Sequence, residues 1–159
     1  MDTDPRAVRV EEAAAVSDEL VAAVAALIGQ LSSSARPPTA AQLGAIVVSP
    51  ASRLLVARGI GGRIIGMLTL VLFPIPTGVR AWIEDVVVDA DARGQGVGVL
   101  LTREALRLAR ADGARTVDLT SRPGREAANR LYAKLGFERR ETNVYRYDQP
   151  PADTDGPGE

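Results

Sequence analysis

The stretch "VVVDADARGQGVGVLL", residues 86–101, joins an apolar strand to an apolar helix through a turn that contains three glycines. Gly94, Gly96 and Gly98 occupy alternate positions, and Arg93 precedes them. The first backbone N–H groups of a helix have no partner within the helix and carry partial positive charge. Glycines let an anionic group approach these amides closely, and Arg93 adds charge at the rim. The turn therefore predicts a pyrophosphate-binding site.

Two common phosphate-binding motifs do not explain this turn, residues 93–98, which we call the glycine loop. A nucleoside-triphosphate loop requires Gly, four residues and then Gly-Lys-Ser/Thr, and the sequence contains no such run. A dinucleotide fingerprint requires G-x-G-x-x-G/A, whereas Gly94 and Gly96 are followed by Val99 at the last position. That fingerprint usually opens a series of βαβ units, and the glycine loop follows a run of antiparallel strands.

Before the glycine loop, the sequence predicts one strand, two helices and three further strands. Alternating apolar residues indicate strands, and apolar residues spaced three and four apart indicate helices. Ser17 is a suitable N-cap, and Thr39 with Gln42 fits a capping box. The predicted elements are a strand at 7–11, a helix at 17–31, a helix from 39 that ends by 50, and strands at 53–58, 63–73 and 79–89. Short connections between the last three strands favour an antiparallel meander.

After the glycine loop, helices and strands alternate. A helix that ends near Gly113 carries on one face Val97, Leu100, Leu101, Ala105 and Leu108. It is followed by a strand at 115–121, a helix at 125–136 and a final strand at 138–147. This order predicts an α/β (α+β) fold with a mixed, mostly antiparallel central sheet flanked by helices.

Polar stretches rich in Pro, Gly and Asp stand at both ends of the sequence. They cover residues 1–5 and 148–159, and their composition predicts disordered tails. A chain of 159 residues is long enough for one domain with its own core. We therefore predict a single domain at residues 6–147.

The composition limits the chemistry that the protein can perform. The chain has no cysteine and no histidine, which excludes disulfides, acyl-cysteine intermediates, histidine triads and the usual zinc sites. Its formal net charge of -1 gives no general field that attracts nucleic acid or an anionic membrane. We expect carboxylates, tyrosine, hydroxyls or backbone groups to act, with no metal and with no nucleic-acid or membrane partner.

Targeting signals are not evident in the sequence. No segment reaches the roughly 18 consecutive apolar residues that a membrane helix requires. The amino terminus, "MDTDPRAVRVEE", is acidic and lacks the basic start and apolar middle of a signal peptide. A cytoplasmic location is the default expectation.

The glycine loop resembles the acetyl-CoA motif of the GNAT family of N-acetyltransferases. That motif reads Arg/Gln-x-x-Gly-x-Gly/Ala at the start of a helix, and Arg93, Gly96 and Gly98 match it. The stretch "NRLYAKLGF", residues 129–137, resembles the second motif of the family. The matching residues of this second motif are Asn129, Tyr132, Gly136 and Phe137. Two motifs in the right order are more specific than either alone, and the predicted order of strands and helices also agrees.

The resemblance implies the GNAT, or acyl-CoA N-acyltransferase, fold and acetyl-CoA as co-substrate. It implies that backbone groups of 86–88 pair with the pantetheine arm and that the amides of 94–99 hold the pyrophosphate. In this family the strand with the first motif usually splays from the next one to admit the cofactor. The cofactor-binding residues implied are Val86, Val87, Val88, Arg93, Gly94, Gln95, Gly96, Val97, Gly98, Val99, Asn129 and Tyr132.

Acetyl transfer from a thioester to an amine makes two demands on an enzyme. An alkylammonium, with a pKa of about 10, must lose its proton before it can attack, and the leaving thiolate benefits from protonation. The resemblance places Tyr132 near the sulfur, where its phenol can donate that proton. Without the motif, a tyrosine at this position is simply a packed helix residue.

Glu84 and Asp85 are the candidate bases, because they interrupt an apolar strand. A carboxylate in a mostly buried strand is costly unless it is paired or functional, and partial burial raises its pKa. Alternation puts Glu84 on one face with Trp82, Val86 and Val88, and Asp85 on the other face with Ile83 and Val87. Only one acid should face the cleft unless a bulge intervenes, and we favour Glu84. An ion pair with Arg80 or Arg115, or a water chain without a dedicated base, stays open.

The sequence therefore predicts an N-acetyltransferase that transfers acetyl directly to a primary amine, without an acyl-enzyme. The acceptor is a small molecule, such as an amino sugar, amino acid or polyamine, or a protein. The alternative is a catalytically silent module that binds or senses acyl-CoA. A homodimer is a further expectation, because many members of the family form dimers and the last strand is a usual contact.

Overall fold

A computed structural model of the protein describes residues 8–150. The predicted tail 1–5 and residues 151–159 of the second tail lie outside the described residues. The elements in chain order are β1 (Arg9–Glu12), α1 (Asp18–Leu31), α2 (Ala40–Val48), β2 (Ser52–Arg58), β3 (Ile64–Ile75), β4 (Gly78–Val88), a 3₁₀ turn (Ala90–Ala92), α3 (Val97–Ala111), β5 (Thr116–Asp118) and α4 (Glu126–Lys134).

The strands form a five-stranded sheet in the order β1-β2-β3-β4-β5. The first four strands pair antiparallel, and β5 pairs parallel with β4. The predicted meander and the mixed, mostly antiparallel sheet are confirmed. Because α3 connects two parallel neighbours, its N-terminus lies at the carboxyl end of β4, where ligands of such units usually bind.

The first two helices begin where their capping residues predict. The Ser17 hydroxyl accepts a hydrogen bond of 3.1 Å from the Leu20 amide. Thr39 and Gln42 form the complete capping box, with Thr39 N–H donating to Gln42 Oε1 at 2.9 Å and Gln42 N–H to Thr39 Oγ1 at 3.2 Å. Such caps each stabilise a helix by about 1 kcal/mol.

The sheet separates two apolar clusters. On one face, α1 and α2 pack through Leu20, Val24, Leu27 and Leu43. On the other face, α3 packs through Val97, Leu101, Ala105 and Ala109. Leu100, predicted on the inner face of α3, is instead 38% exposed, because Thr102 and Ala109 fall nearer the buried side. Burial on both faces explains why β2 and β3 are continuous apolar runs rather than strict alternations.

A bulge interrupts β4 at Asp85. The register with β3 shifts between Met67, which pairs with Val87, and Thr69, which pairs with Glu84. Asp85 has a φ of 49°, the left-handed region that non-glycine residues rarely adopt. The extra residue turns the strand over, so that Ile83 packs towards α3 while Val87 packs towards α1.

The predicted strand at 138–147 is wrong for the chain as described. Residues 137–150 have no helix or strand, and Val144, Tyr145 and Tyr147 are 73%, 89% and 80% exposed. The first half of this segment, "ERRE", offers no apolar face to bury, so the alternation of its second half does not suffice to pair it with β5. Strand β5 is therefore the unpaired edge of the described sheet.

Candidate active site

The site begins where β4 and β5 part. These strands pair only through Arg80, Ala81 and Trp82, opposite Thr116, Val117 and Asp118. Residues 83–88 of β4 have no strand beside them on this side within the described chain. The two strands are parallel, so the opening lies at their carboxyl ends, next to the N-terminus of α3. The splay implied by the family resemblance is present in the pairing pattern, and it leaves backbone groups of 86–88 available.

The glycine loop closes one end of this opening. Gly94 and Gly96 have φ of 77° and 78°, and no atom lies within 4 Å of the position that a Cβ would occupy on either. Within residues 8–150, the amides of 94–99 donate no hydrogen bond. Left-handed glycines followed by a helix start aim consecutive N–H groups outward, which is the arrangement that binds phosphate oxygens. The loop therefore fits a pyrophosphate group.

Gly98 has a different role from Gly94 and Gly96. A Cβ on Gly98 would lie 3.1 Å from Leu131 Cδ1, so the missing side chain lets α3 pack closely on α4. Gly66 likewise lets α3 pack closely on β3, since a Cβ at Gly66 would lie 3.1 Å from Val97 Cγ1 and 3.2 Å from Leu101 Cδ1. Gly66 lies outside both sequence motifs. Its position inside an apolar strand, where glycine is otherwise unfavourable, was the available signal.

Tyr132 lies on α4 and is partly buried. Its ring makes an edge-to-face contact with Phe137, with ring centroids 5.6 Å apart and planes at 66°. Burial raises the pKa of the Tyr132 hydroxyl above its ordinary value, and the positive charge of Arg125 opposes this in part. The phenol consequently keeps its proton at neutral pH, as a proton donor must.

Asn129 fastens the loop that leads into α4. Its Nδ2 donates to the carbonyl oxygens of Arg122 at 3.0 Å and Pro123 at 3.4 Å. Both amide hydrogens are thereby used, and the Oδ1 acceptor is left for any cofactor contact. The predicted cofactor contact of Asn129 stays a prediction.

The bulge changes the expected arrangement of the two acids. Glu84 and Asp85 are both exposed, so the partial burial expected of a carboxylate in this strand is not observed. The predicted alternation is also wrong beyond Asp85, because Val86 and Val88 pack on the α3 side together with Ile83. Both carboxylates stand at the point where β4 has left β5, and the inserted residue is the physical reason.

The predicted ion pairs of these acids do not form. Arg80 instead binds Asp118 across the β4–β5 pair at 3.0 Å. Arg115 donates to the carbonyl oxygen of Thr77 at 2.8 Å. Within the described chain, Glu84 and Asp85 have no salt bridge, so both remain available to a substrate or water.

Ser121 contributes a buried polar atom on the β5 side. It follows β5 by three residues, and its Oγ is the one buried side-chain polar atom without a hydrogen-bond partner within residues 8–150. A buried hydroxyl without a partner is costly, so such an atom is expected to meet a ligand or water. Its place beside the opening identifies Ser121 as a candidate binding residue.

Metal and membrane features are absent from the described part of the chain. No group of three or more acidic side chains in residues 8–150 is arranged to hold a metal ion. No helix in the same range combines the length and apolar character needed to cross a membrane.

Comparison with known proteins agrees with this geometry. The family model described as "Acetyltransferase (GNAT) family" matches residues 26–137, which include β2 to β5, α2, α3 and α4. A crystal structure of a Trypanosoma brucei acetyltransferase superposes with a TM-score of 0.73 and 27% identity, over 90% of this chain and 100% of that one.

Two curated relatives share shorter segments. A glucosamine 6-phosphate N-acetyltransferase of Trypanosoma brucei brucei is 41% identical over 86 residues, 52% of this chain and 56% of the relative. An uncharacterized N-acetyltransferase of Methanocaldococcus jannaschii is 38% identical over 61 residues, 38% of this chain and 27% of the relative. The match thus spans little more than half of the first relative and about a quarter of the second.

Proposed function

Because the chain belongs to the acetyltransferase (GNAT) family, we propose that it transfers the acetyl group of acetyl-CoA to a primary amine of a small molecule. The observation that carries the proposal is the row of unpartnered amides at 94–99, at the mouth of the opening between β4 and β5. A pyrophosphate satisfies the amides, and an extended arm fits beside the unpaired part of β4. In this proposal the transfer is direct, and the absence of cysteine removes the thiol that an acyl-cysteine intermediate requires.

Several features of the chain fit acetyl-CoA. The glycine loop has open space around Gly94 and Gly96 for the pyrophosphate, and Arg93 adds charge. The backbone of 86–88 is available to an extended amide chain, in the manner of an added strand. Bound acetyl-CoA supplies the activated acetyl group as a thioester. The cofactor-binding residues proposed are Val86, Val87, Val88, Arg93, Gly94, Gln95, Gly96, Val97, Gly98, Val99, Asn129 and Tyr132, with Ser121 added.

In this proposal Tyr132 acts as the general acid. Its hydroxyl is protonated at neutral pH, since the ordinary pKa of tyrosine is about 10 and burial raises the pKa of Tyr132 further. The ring contact with Phe137 limits the orientations of the phenol and thereby positions the proton for the leaving thiolate. The proton passes from the phenol oxygen to the sulfur as the carbon–sulfur bond breaks.

The base removes a proton from the ammonium form of the acceptor before the amine attacks. Glu84 is our first candidate and Asp85 the second, each acting directly or through an ordered water. Their exposure at the end of the strand pairing supports access to an incoming amine. Because neither acid has a salt bridge among the described residues, accepting a proton disrupts no ion pair.

We propose an amino sugar as the preferred acceptor, with amino acids, polyamines and protein amino groups as less preferred ones. The T. brucei brucei relative named glucosamine 6-phosphate N-acetyltransferase supports this choice, at 41% identity over about half of each chain. We also propose a cytoplasmic location, which cell fractionation tests.

The test of the proposal is thiol release from acetyl-CoA with a panel of amines, for the wild type and Tyr132→Phe. Loss of the general acid is expected to lower kcat by about 10²–10⁴-fold, with little change in the Kd of acetyl-CoA. Binding of acetyl-CoA without turnover on any amine would instead favour a silent acyl-CoA-binding module. Binding of a nicotinamide cofactor and not acetyl-CoA would overturn the assignment altogether.

We propose, in addition, a homodimer in which the segment 138–147 lies against a second copy. Its exposed Val144, Tyr145 and Tyr147 support this, together with the unpaired outer edge of β5. Exchange of such a segment between two copies gives each edge a partner and buries the tyrosines.

Light scattering after size exclusion tests the dimer. The double variant Tyr145→Ser/Tyr147→Ser is expected to halve the mass of the wild-type dimer. The matched control is Ile60→Ser, since Ile60 is 72% exposed but lies far from this segment in sequence. A monomeric wild type, or a Tyr145→Ser/Tyr147→Ser dimer, contradicts the assembly.

A further inference from the structure

A side chain from α1 is bonded to the chain just ahead of the glycine loop. Gln30, one residue before the end of α1, accepts a hydrogen bond from Ala90 N–H through its Oε1 at 2.9 Å. Its Nε2 donates to Asp89 Oδ2 at 3.4 Å. The two bonds use both the oxygen and the nitrogen of the Gln30 side-chain amide. They join α1 to the start of the 3₁₀ turn, about sixty residues later in the sequence.

Asp89 is the centre of this contact. Its amide donates to the Ile65 carbonyl at 2.8 Å, which fixes the end of β4 on β3. Its Oδ1 accepts from Asp91 N–H at 3.0 Å and thereby caps the 3₁₀ turn. Arg63 Nη2 approaches the same oxygen at 3.8 Å. Gln30 therefore binds a residue that already fixes where β4 ends and where the turn begins.

Residues 93–96 of the glycine loop have few other restraints, whereas Val97 and Gly98 already belong to α3 and pack against the rest of the fold. Arg93 N–H donates to Ala90 O at 3.4 Å, and Gln95 Nε2 donates to Asp91 O at 3.3 Å. Both of these bonds attach the loop to the 3₁₀ turn and not to the rest of the fold. Gly94 and Gly96 have wide backbone freedom, so the position of the loop depends on the position of the 3₁₀ turn. The start of this turn is held by two groups outside it, the Gln30 side chain and the Ile65 carbonyl.

We propose that Gln30 is a positioning residue for acetyl-CoA binding. It holds the 3₁₀ turn so that the amides of 94–99 keep one orientation before the pyrophosphate arrives. Pre-ordering the loop lowers the entropy that must be lost on binding, so Gln30 contributes to affinity without touching the cofactor. The inference rests on the proposed function, because it concerns the same loop.

The first test needs no cofactor. Hydrogen exchange of the amides of residues 90–93, all of which have acceptors, is measured in the protein alone for the wild type and Gln30→Ala. Exchange in this range is expected to accelerate severalfold in Gln30→Ala, because the Ala90 amide loses its acceptor. Unchanged exchange would overturn the inference whatever the protein binds.

The second test separates binding from chemistry. The Kd of acetyl-CoA is followed through fluorescence of Trp82, the single tryptophan, which lies where β4 leaves β5. Gln30→Ala is expected to raise Kd and KM roughly fivefold, as for the loss of one hydrogen bond, with kcat changed less than about twofold. An equal fall in kcat with unchanged Kd would overturn the inference.

The matched control is Gln42→Ala. Gln42 also uses its side-chain amide for a bond to a backbone N–H at a helix terminus, but that bond stays within α2. Both variants are expected to lose stability, and only Gln30→Ala is expected to change Kd and loop exchange. Equal effects of the two variants on Kd would show a general consequence of destabilisation and overturn the inference.

Substitutions at Gln30 and Asp89 test the contact between these two side chains. Gln30→Glu keeps the acceptor for Ala90 N–H but places a second carboxylate against Asp89, so Kd is expected to rise more than in Gln30→Ala. Adding Asp89→Asn restores a donor between the two side chains and is expected to recover most of the affinity. Failure of this recovery contradicts the contact. If the wild type binds no acetyl-CoA, the proposed function fails, while the exchange experiment still decides the role of Gln30.

Discussion

The chain contains two glycine-rich turns that look alike in their backbone angles and differ in their hydrogen bonds. The hairpin turn, residues 59–62, joins β2 and β3, and Gly61 and Gly62 have φ of 83° and 84°. Two of its four amides donate within the hairpin, Gly59 N–H to Arg63 O at 2.9 Å and Gly62 N–H to Gly59 O at 3.0 Å. In the glycine loop, with the same left-handed glycines, the amides of 94–99 have no partner within the described chain.

The difference arises from the elements that follow the turns. An antiparallel strand returns beside its neighbour and satisfies the backbone of the turn, whereas a helix start leaves its first amides free. Positive φ at glycine therefore indicates a tight turn and nothing about function. The unpartnered donors, and not the glycines as such, distinguish a binding loop from a hairpin connection.

The largest expected effect compares Gly96→Val with Gly61→Val. A Cβ added at either position would meet no atom within 4 Å, and both residues have φ near 80°. The left-handed backbone should cost each variant about 1–2 kcal/mol in the free energy of unfolding. Only Gly96→Val is expected to raise the Kd of acetyl-CoA by more than about tenfold, because it moves the amides and fills the space. A similar rise in Gly61→Val would remove the distinction between the two turns.

The next effect concerns the buried hydroxyl beside the opening. Ser121→Ala removes a buried polar atom without a partner, so the protein alone is expected to gain about 1 kcal/mol in the free energy of unfolding. The same change is expected to weaken acetyl-CoA binding, since the hydroxyl no longer meets the ligand. Urea unfolding and fluorescence titration measure the two quantities. A loss of stability, or unchanged binding, would contradict the role of Ser121 as a binding residue.

A smaller effect separates the packing glycine of the loop from the other two. Gly98→Ala raises helix propensity by roughly 1 kcal/mol, but the new methyl group crowds Leu131. The two effects oppose each other, so we expect the variant to be as stable as the wild type or less stable. In a Leu131→Ala background the crowding is gone, and the same change is expected to stabilise by about 1 kcal/mol. Urea unfolding of the four proteins gives the coupling. Additive effects would show that Gly98 is not there for packing on α4.

The smallest effect concerns Asp89, where the two turns are linked through Arg63. The pKa of Asp89 is lowered mainly by the hydrogen bond from Asp91 N–H, and also by Gln30, Arg63 and Arg93. A lowered folded-state pKa means that the ionised group stabilises the fold above the unfolded-state pKa, about 4, and that this contribution is lost as pH falls through the lower folded-state value. The difference in urea midpoint between wild type and Asp89→Asn should be constant from neutral pH to about 5 and shrink below about 4. A difference that grows on acidification has the wrong sign for this contact.

The sequence predicts the elements whose signals are local. The caps at Ser17 and Thr39, the helix stops near Gly113 and Gly136, and the meander all follow from short-range patterns, and the structure has them. The parallel pairing of β4 with β5 follows from the family resemblance and not from local patterns, because α3 separates these two strands in the sequence. The sequence thus predicts every strand and helix of the described fold, and its one wrong element is the strand at 138–147.

The parts that could not be predicted depend on distant partners. The segment 138–147 alternates enough to suggest a strand, but pairing needs an edge and an apolar face, and neither is visible in the segment alone. The contact of Gln30 with Asp89 needs a three-dimensional arrangement that nothing in "LIGQL" signals. The bulge at Asp85 could not be predicted, because a single inserted residue leaves no periodic signature in a strand that is apolar on both sides of Glu84 and Asp85.

The bulge at Asp85 also selects one alignment of the longest hairpin in the molecule during folding. Strands β3 and β4 are 12 and 11 residues long and mostly apolar, so sliding one along the other by two residues keeps many apolar contacts between them. A slipped hairpin that kept the bend in place would put the left-handed residue at Ile83 or Val87. Both are β-branched, and such residues resist positive φ far more than aspartate does. Asp85 therefore fixes the register of β3 with β4. We expect deletion of Asp85 to produce misaligned hairpins and slower folding, in addition to any effect on catalysis.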